Sequence, residues 1–140
     1  MNKKLTINTD GGARGNPGPA GCGVVVKNDQ GLIIENISHY LGEATNNVAE
    51  YTALILALEA AEKLGAQELH INMDSELVVR QMQGKYKIKE PTLQELAKKV
   101  FVLQNKFKLI NFTHVRREFN KEADQLVNQA IDEALAIQKK

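Results

Sequence analysis

The chain has a single cysteine, Cys22, so no internal disulfide can form, and no Cys/His spacing suits zinc; both absences fit a reducing compartment. Cys22 itself reads as a small buried strand residue. An excess of one charge is lacking too: 18 Lys and Arg against 17 Asp and Glu leave a formal net charge of +1. No global basic field announces a nucleic acid or a membrane, so any polyanion must be bound locally. No apolar run approaches the roughly 18 residues needed to span a bilayer, and the N-terminus passes almost at once into an alternating strand. A soluble, cytoplasmic protein without a membrane partner is expected. No glycine run ends in GK[ST], which argues against a nucleotide P-loop, and no Ser, Cys or His triad is on offer. Repeats, low-complexity segments and long linkers are missing as well. The 140 residues and 15.5 kDa fit one domain, 1–140, large enough to bury a real core.

What is present is organised by period. Leu5, Ile7 and Thr9 alternate with Thr6, Asn8 and Asp10, and "GCGVVVK" and "LIIENISHYL" follow around the turn "NDQG". These predict three strands in an antiparallel meander. "NNVAEYTALILALEAAEKLG" reads as a helix with an Asx cap at Asn46, apolar residues at Tyr51, Leu54, Ile55, Leu58 and Ala61, and Gly65 as its stop. "ELHINMD" is a strand ending in Asp74, after which Ser75 can cap a short helix, "ELVVRQMQG". "PTLQELAKKVFVLQNKF" carries a capping box from Thr92 to Glu95. "KLINFTHV" is a fifth strand, leading through "RREF" to a last helix capped by Asn120. The order βββαβααβα gives an α/β fold: one five-stranded mixed sheet with helices on both faces.

Four acids stand out on this frame. Asp10 and Asp74 share the polar parity and end their strands, so as parallel neighbours they meet at one sheet edge. Glu50 and Asp124 are placed in the first turns of the long and last helices, where the macrodipole favours anions. Singly, each has a plain reading as a solvated strand end or a dipole partner. Together they repel one another unless divalent cations neutralise them, and oxygen-only ligands select hard ions such as Mg²⁺ or Mn²⁺. Two such ions about 4 Å apart can activate water and stabilise the leaving oxygen of a phosphodiester without a side-chain nucleophile. Gly11, Gly12, Gly15 and Gly18 can all be hairpin residues, but that leaves Asp10 and Asn16 without a reason, which close approach of a bulky ligand backbone would supply.

The segments "TDGGARGNPGPAG", "TNNVAEYTALILAL", "MDSELVVRQMQGKYKIK" and "VRREFNKEADQLVNQA" together resemble the type 1 ribonuclease H family, over nearly the whole chain. The resemblance implies a ribonuclease H-like fold and metal-dependent endonucleolytic hydrolysis of the RNA strand of RNA/DNA hybrids, leaving 5′-phosphate and 3′-hydroxyl ends. It implies Asp10, Glu50, Asp74 and Asp124 as catalytic ligands of two Mg²⁺ or Mn²⁺ ions, with Asp10 bridging them. It also implies that Gly11, Gly12, Asn16, Asn46, Asn47 and Glu50 face minor-groove sugars, where 2′-hydroxyls separate RNA from DNA. Thr45 matches a threonine that binds a DNA-strand phosphate. Ser75 divides evenly between a substrate contact and a helix cap.

The chain departs from many relatives in two places. The basic, aromatic-rich protrusion is replaced by "QGKYKIKEP", where Lys85, Lys87 and Lys89 offer a weaker grip, and Glu43 stands near a position where relatives place an arginine. A mobile histidine before the last acid is missing from "VRREFN", which leaves Arg117 as its substitute. His114 falls on a strand, and His39 and His70 have still weaker claims. A monomer acting on hybrids is expected, with double-stranded RNA an open second substrate. The rival is a noncatalytic hybrid-binding module on the same fold. An actin-like phosphotransferase is set aside because one domain of this length cannot close over a nucleotide.

Overall fold

The computed structural model describes residues 3–138; residues 1–2 and 139–140 of the expected domain lie outside them. The elements follow the expected order: β1 (Lys4–Ala13), β2 (Gly18–Lys27), β3 (Ile33–Ala44), α1 (Asn46–Lys63), β4 (Glu68–Met73), α2 (Glu76–Met82), α3 (Pro91–Gln104), β5 (Leu109–His114) and α4 (Lys121–Gln138), with a 3-10 turn, Arg117–Phe119, before α4. They build one mixed sheet ordered β3-β2-β1-β4-β5. The hairpins make β1, β2 and β3 antiparallel. The helical crossovers bring β4 parallel to β1, and β5 parallel to β4.

Alternation decides which side chains enter the core. Leu5 and Ile7 of β1, Val24 and Val26 of β2, and Leu69 and Ile71 of β4 are buried with Tyr51, Leu54 and Leu58 of α1. Helix α3 covers α1 from outside through Leu93, Ala97 and Val100. Helix α4 lies on the opposite face, against β1, β2 and β3, burying Ala123, Val127, Ala130 and Ile131.

Local details differ from the sequence-based expectations. Strand β1 continues through Gly11 and Gly12 to Ala13, which faces Ala20, so those glycines are strand residues and only residues 14–17 make the turn. Their lack of a side chain serves packing inside the protein. A Cβ on Gly11 would collide with the backbone of Ala49 and Glu50 in α1, and one on Gly23 with the Ala123 carbonyl in α4; Gly12 has only Val127 nearby, at 3.8 Å. The cap of α1 is Thr45, whose Oγ1 accepts from Val48 N–H at 3.2 Å, rather than Asn46, and Glu50 therefore falls in the second turn. The Thr92–Glu95 box does not form, because Pro91 opens α3 with Glu90 at the cap position and no side-chain cap bond. Gly65 ends α1 as expected, with φ of 76°.

The glycine contacts make a stability prediction. Gly11→Ala and Gly23→Ala force backbone apart and should cost about 3 kcal/mol each, whereas Gly12→Ala should stay within about 0.5 kcal/mol of the parent. Urea midpoints of the three variants measure the difference.

Candidate active site

The last paired residues of the parallel β1–β4 ladder are Thr9 and Met73. One step further, Asp10 and Asp74 stand side by side where the two strands part. Glu50 reaches them from α1, and one carboxylate oxygen from each of the three lies within 4.8 Å of the others. The close passage of α1 over Gly11 permits this: the Gly11 N–H donates to Glu50 Oε1 at 3.1 Å. Glu50 Oε2 is buried with no hydrogen-bond partner. Asp10 and Glu50 are only 7% and 6% exposed, while Asp74 is half-buried and Asp124, in the first turn of α4, is exposed.

Burying acids together has the expected electrostatic result. Burial first, and then the neighbouring Asp74 carboxylate, push Asp10 up to about 8, with Asp124 adding to the rise and a hydrogen bond with Glu50 opposing it. Burial, then Asp10 and Asp74, hold Glu50 well above the carboxylate range. Cys22, buried beneath the site, donates its thiol to the Ala49 carbonyl at 3.5 Å. Burial, with the Glu50 and Asp10 charges, lifts it to about 12, as befits an inert core thiol.

These acids form the floor of an open cleft of about 600 Å³, which Asn46, Asn47, Ser75 and Arg117 also line. Asn16 and Thr45, also expected at the site, do not line it. Asn16 Oδ1 accepts from the Asn46 N–H at 2.9 Å, and Asn46 Oδ1 accepts from the Ala13 N–H at 2.8 Å, so this pair locks the β1–β2 turn onto the start of α1. Ser75 caps α2, its Oγ accepting from Val78 N–H at 3.3 Å. Lys85, Lys87 and Lys89 are exposed around a second depression of about 520 Å³, and Asn47 borders both hollows. Of the histidines, His114 ends β5 with Nδ1 4.0 Å from Glu76, His70 meets Thr113 at 3.3 Å and His39 is exposed on β3. Glu43 is exposed opposite Pro19.

Helix α4 is fixed to the site by amides that the sequence disclosed only in part. Asn120 occupies the cap position, its carbonyl accepting from Asp124 N–H at 3.1 Å. Its side chain does not cap the helix: Nδ2 donates to the Thr9 carbonyl at 2.9 Å and Oδ1 accepts from Asn8 at 3.0 Å. Arg14, Lys121 and Asn128 also line the cleft and were not expected there. Only the spacing of Asn128 from Asp124, one helical turn, could have suggested it.

The donor set suits a hard divalent cation. All donors are oxygens, three carboxylates converge, and a buried carboxylate oxygen is left without a partner. The frame is that of a ribonuclease H-like α/β protein. Residues 8–130 match the family model described as reverse transcriptase-like. The chain is 43% identical to Ribonuclease HI of Halobacterium salinarum over 126 residues, 89% of this chain and 63% of that one. It is 48% identical to Bifunctional protein Rv2228c of Mycobacterium tuberculosis over 94% of this chain and 36% of that protein, so it spans about a third of the length of this relative. The structure of LC11-RNase H1 in complex with an RNA/DNA hybrid is similar with a TM-score of 0.90 at 52% identity, covering 94% of this chain and 99% of that one. The chain belongs to the type 1 ribonuclease H family.

The raised carboxyls define a pH dependence. A group whose pKa is raised on folding contributes stability that is complete below its unfolded value and is lost as pH rises through its folded value, here about 8 for Asp10. Thermal melts in EDTA should therefore show the melting temperature falling as pH rises from the ordinary carboxylate range to about 8. Asp10→Asn should lessen that fall and melt at least about 3 °C above the parent at the alkaline end, and Mn²⁺ should abolish the fall in the parent alone.

Proposed function

We propose that this protein is an endoribonuclease that hydrolyses the RNA strand of RNA/DNA hybrids to 5′-phosphate and 3′-hydroxyl products. The observation that carries this is the convergence of Asp10, Glu50 and Asp74 within 4.8 Å at the floor of an open cleft, in a chain whose relatives include a ribonuclease H1 crystallised with such a hybrid. Asp10, Glu50, Asp74 and Asp124 would hold two Mg²⁺ or Mn²⁺ ions. When bound, these supply an activated water and neutralise charge on the leaving oxygen. Water attacks phosphorus, the P–O3′ bond breaks, and no covalent enzyme intermediate forms.

The protein's own groups prepare that reaction. Burial raises the carboxyls of Asp10 and Glu50, so a divalent cation would bind there in competition with protons. The Asn16–Asn46–Ala13 hydrogen bonds hold the cleft lip rigid, so that Gly12, Asn46 and Asn47 meet a minor groove whose 2′-hydroxyls mark RNA. Asn47 leads from the acidic floor toward Lys85, Lys87 and Lys89, which meet phosphates further along the duplex. Arg117, which lines the same cleft as Asn46, offers a permanent positive charge to the scissile region and takes the place of a mobile histidine. This ribonuclease H domain acts as a monomer in the cytoplasm.

A labelled hybrid, with duplex DNA and double-stranded RNA as controls, tests the reading in Mg²⁺, Mn²⁺ and EDTA. Metal-dependent cutting of the RNA strand is expected, and Asp10→Asn, Glu50→Gln or Asp74→Asn should each lower it at least about 100-fold, the upper end of losses from residues that merely support a ligand. Replacing the three lysines by alanine should raise KM and flatten its salt dependence by about one unit of slope per lost phosphate contact. Tight hybrid binding without cleavage in either metal would refute the enzyme and leave a binding module.

A further inference from the structure

Asp124 is the one acid of the four that is exposed, and an aspartate on an exposed helical turn can visit several rotamers. Beside it runs a chain of three side chains, Asn128, Arg14 and Asp132. Asn128 Nδ2 donates to the Asp124 carbonyl at 3.1 Å and makes a longer contact with Asp124 Oδ2 at 3.4 Å. The Oδ1 of the same amide accepts from Arg14 Nη2 at 3.1 Å, and that nitrogen lies 2.7 Å from Asp132 Oδ1. Asp124, Asn128 and Asp132 recur at four-residue spacing along one face of α4. Arg14 crosses to them from the turn that follows β1, where its N–H donates to the Pro19 carbonyl at 2.9 Å.

The residue types leave one arrangement. A guanidinium only donates and an ionised carboxylate only accepts, so an amide between them must turn its oxygen to Arg14 and its NH₂ to Asp124. The Asp132 contact supplies the anchor that keeps the guanidinium against α4. We propose that Asn128 and Arg14 are positioning residues: Arg14, anchored by Asp132, fixes the Asn128 carboxamide, which holds the Asp124 carboxylate toward Asp10 as a ligand for the divalent cation. This rests on the reading of Asp124 as a metal ligand. Arg14 is 41% exposed at its side chain and could be taken for a phosphate contact, but its Nη2, the nitrogen turned to α4, already serves both Asn128 and Asp132.

The test compares Asn128→Ala, Arg14→Gln and the double variant with the parent, using Mn²⁺ titration calorimetry without substrate and steady-state cleavage of a labelled hybrid. Lys27→Gln serves as control, because it breaks another tie to α4, the 3.3 Å bridge to Glu122, away from the cleft. Each single variant should weaken Mn²⁺ binding and lower kcat about tenfold with KM nearly unchanged. The double variant should be no worse than either single one, since both act through one carboxylate, and the control should match the parent. Unchanged Mn²⁺ affinity in the variants would overturn the proposal. So would a raised KM with a shallower salt dependence in Arg14→Gln alone, which would make Arg14 a phosphate contact. A parent that binds Mn²⁺ but cuts nothing would sink the proposed activity and leave the calorimetry to judge the positioning.

Discussion

The parallel pairing of β1 with β4 is the constraint on which the site depends. Parallel strands require a long crossover, and α1 is that crossover, so one connection both aligns Asp10 with Asp74 and carries Glu50 past them. Because the register ends at Thr9 and Met73, the two aspartates face each other just where backbone pairing gives way to an open edge. A slip of one residue would turn Asp10 to the opposite face of the sheet and bring its hydrophobic neighbours out with it. The apolar alternation that buries Leu5, Ile7, Leu69 and Ile71 is therefore also what aims the acids.

Small residues turn this alignment into a cluster. Gly11 lets α1 come so near β1 that its N–H reaches Glu50, while Gly21 and Gly23 admit α4 on the other face. Both helices then approach the sheet closely enough for their acids to share one cleft. The cost is charge: burial and mutual repulsion raise Asp10 and Glu50, and the unpartnered Glu50 Oε2 is a further penalty that nothing within the described residues offsets. A divalent cation would relieve both penalties at once, which is the physical reason to read the cluster as a binding site and not as a packing accident.

Much of this was legible in the sequence because it depends on period. Two-residue alternation gave the strands and the parity of Asp10 and Asp74, and helical spacing gave α1 and α4. The termini were less legible. Asn46 and Thr45 are both good caps, and only the three-dimensional bond between Asn46 and Ala13 shows why Thr45 takes that role. The proline at the start of α3 overrode an apparent capping box. The glycines after Asp10 looked like turn residues, since a sequence does not show that helices will press on a strand from both sides. Asn120 and Asn128 were harder still, because what an amide bonds depends on distant partners. No local pattern brings Asn8 or Arg14 to α4.

Those amides explain how an exposed helix can contribute to a site that needs fixed geometry. Helix α4 buries only small and medium side chains near the sheet, so apolar packing sets its distance more firmly than its rotation or its position along its axis. Directional bonds supply the rest. Asn120 ties the first turn to the Thr9 carbonyl, immediately before Asp10, and Arg14 meets α4 further along, at Asn128 and Asp132, from the turn just past the end of the same strand. Both ties thus refer α4 to β1, the strand that carries Asp10, rather than to a distant edge of the sheet. A rigid shift of the sheet would carry Asp10 and Asp124 together, and their separation would change only if these polar ties broke.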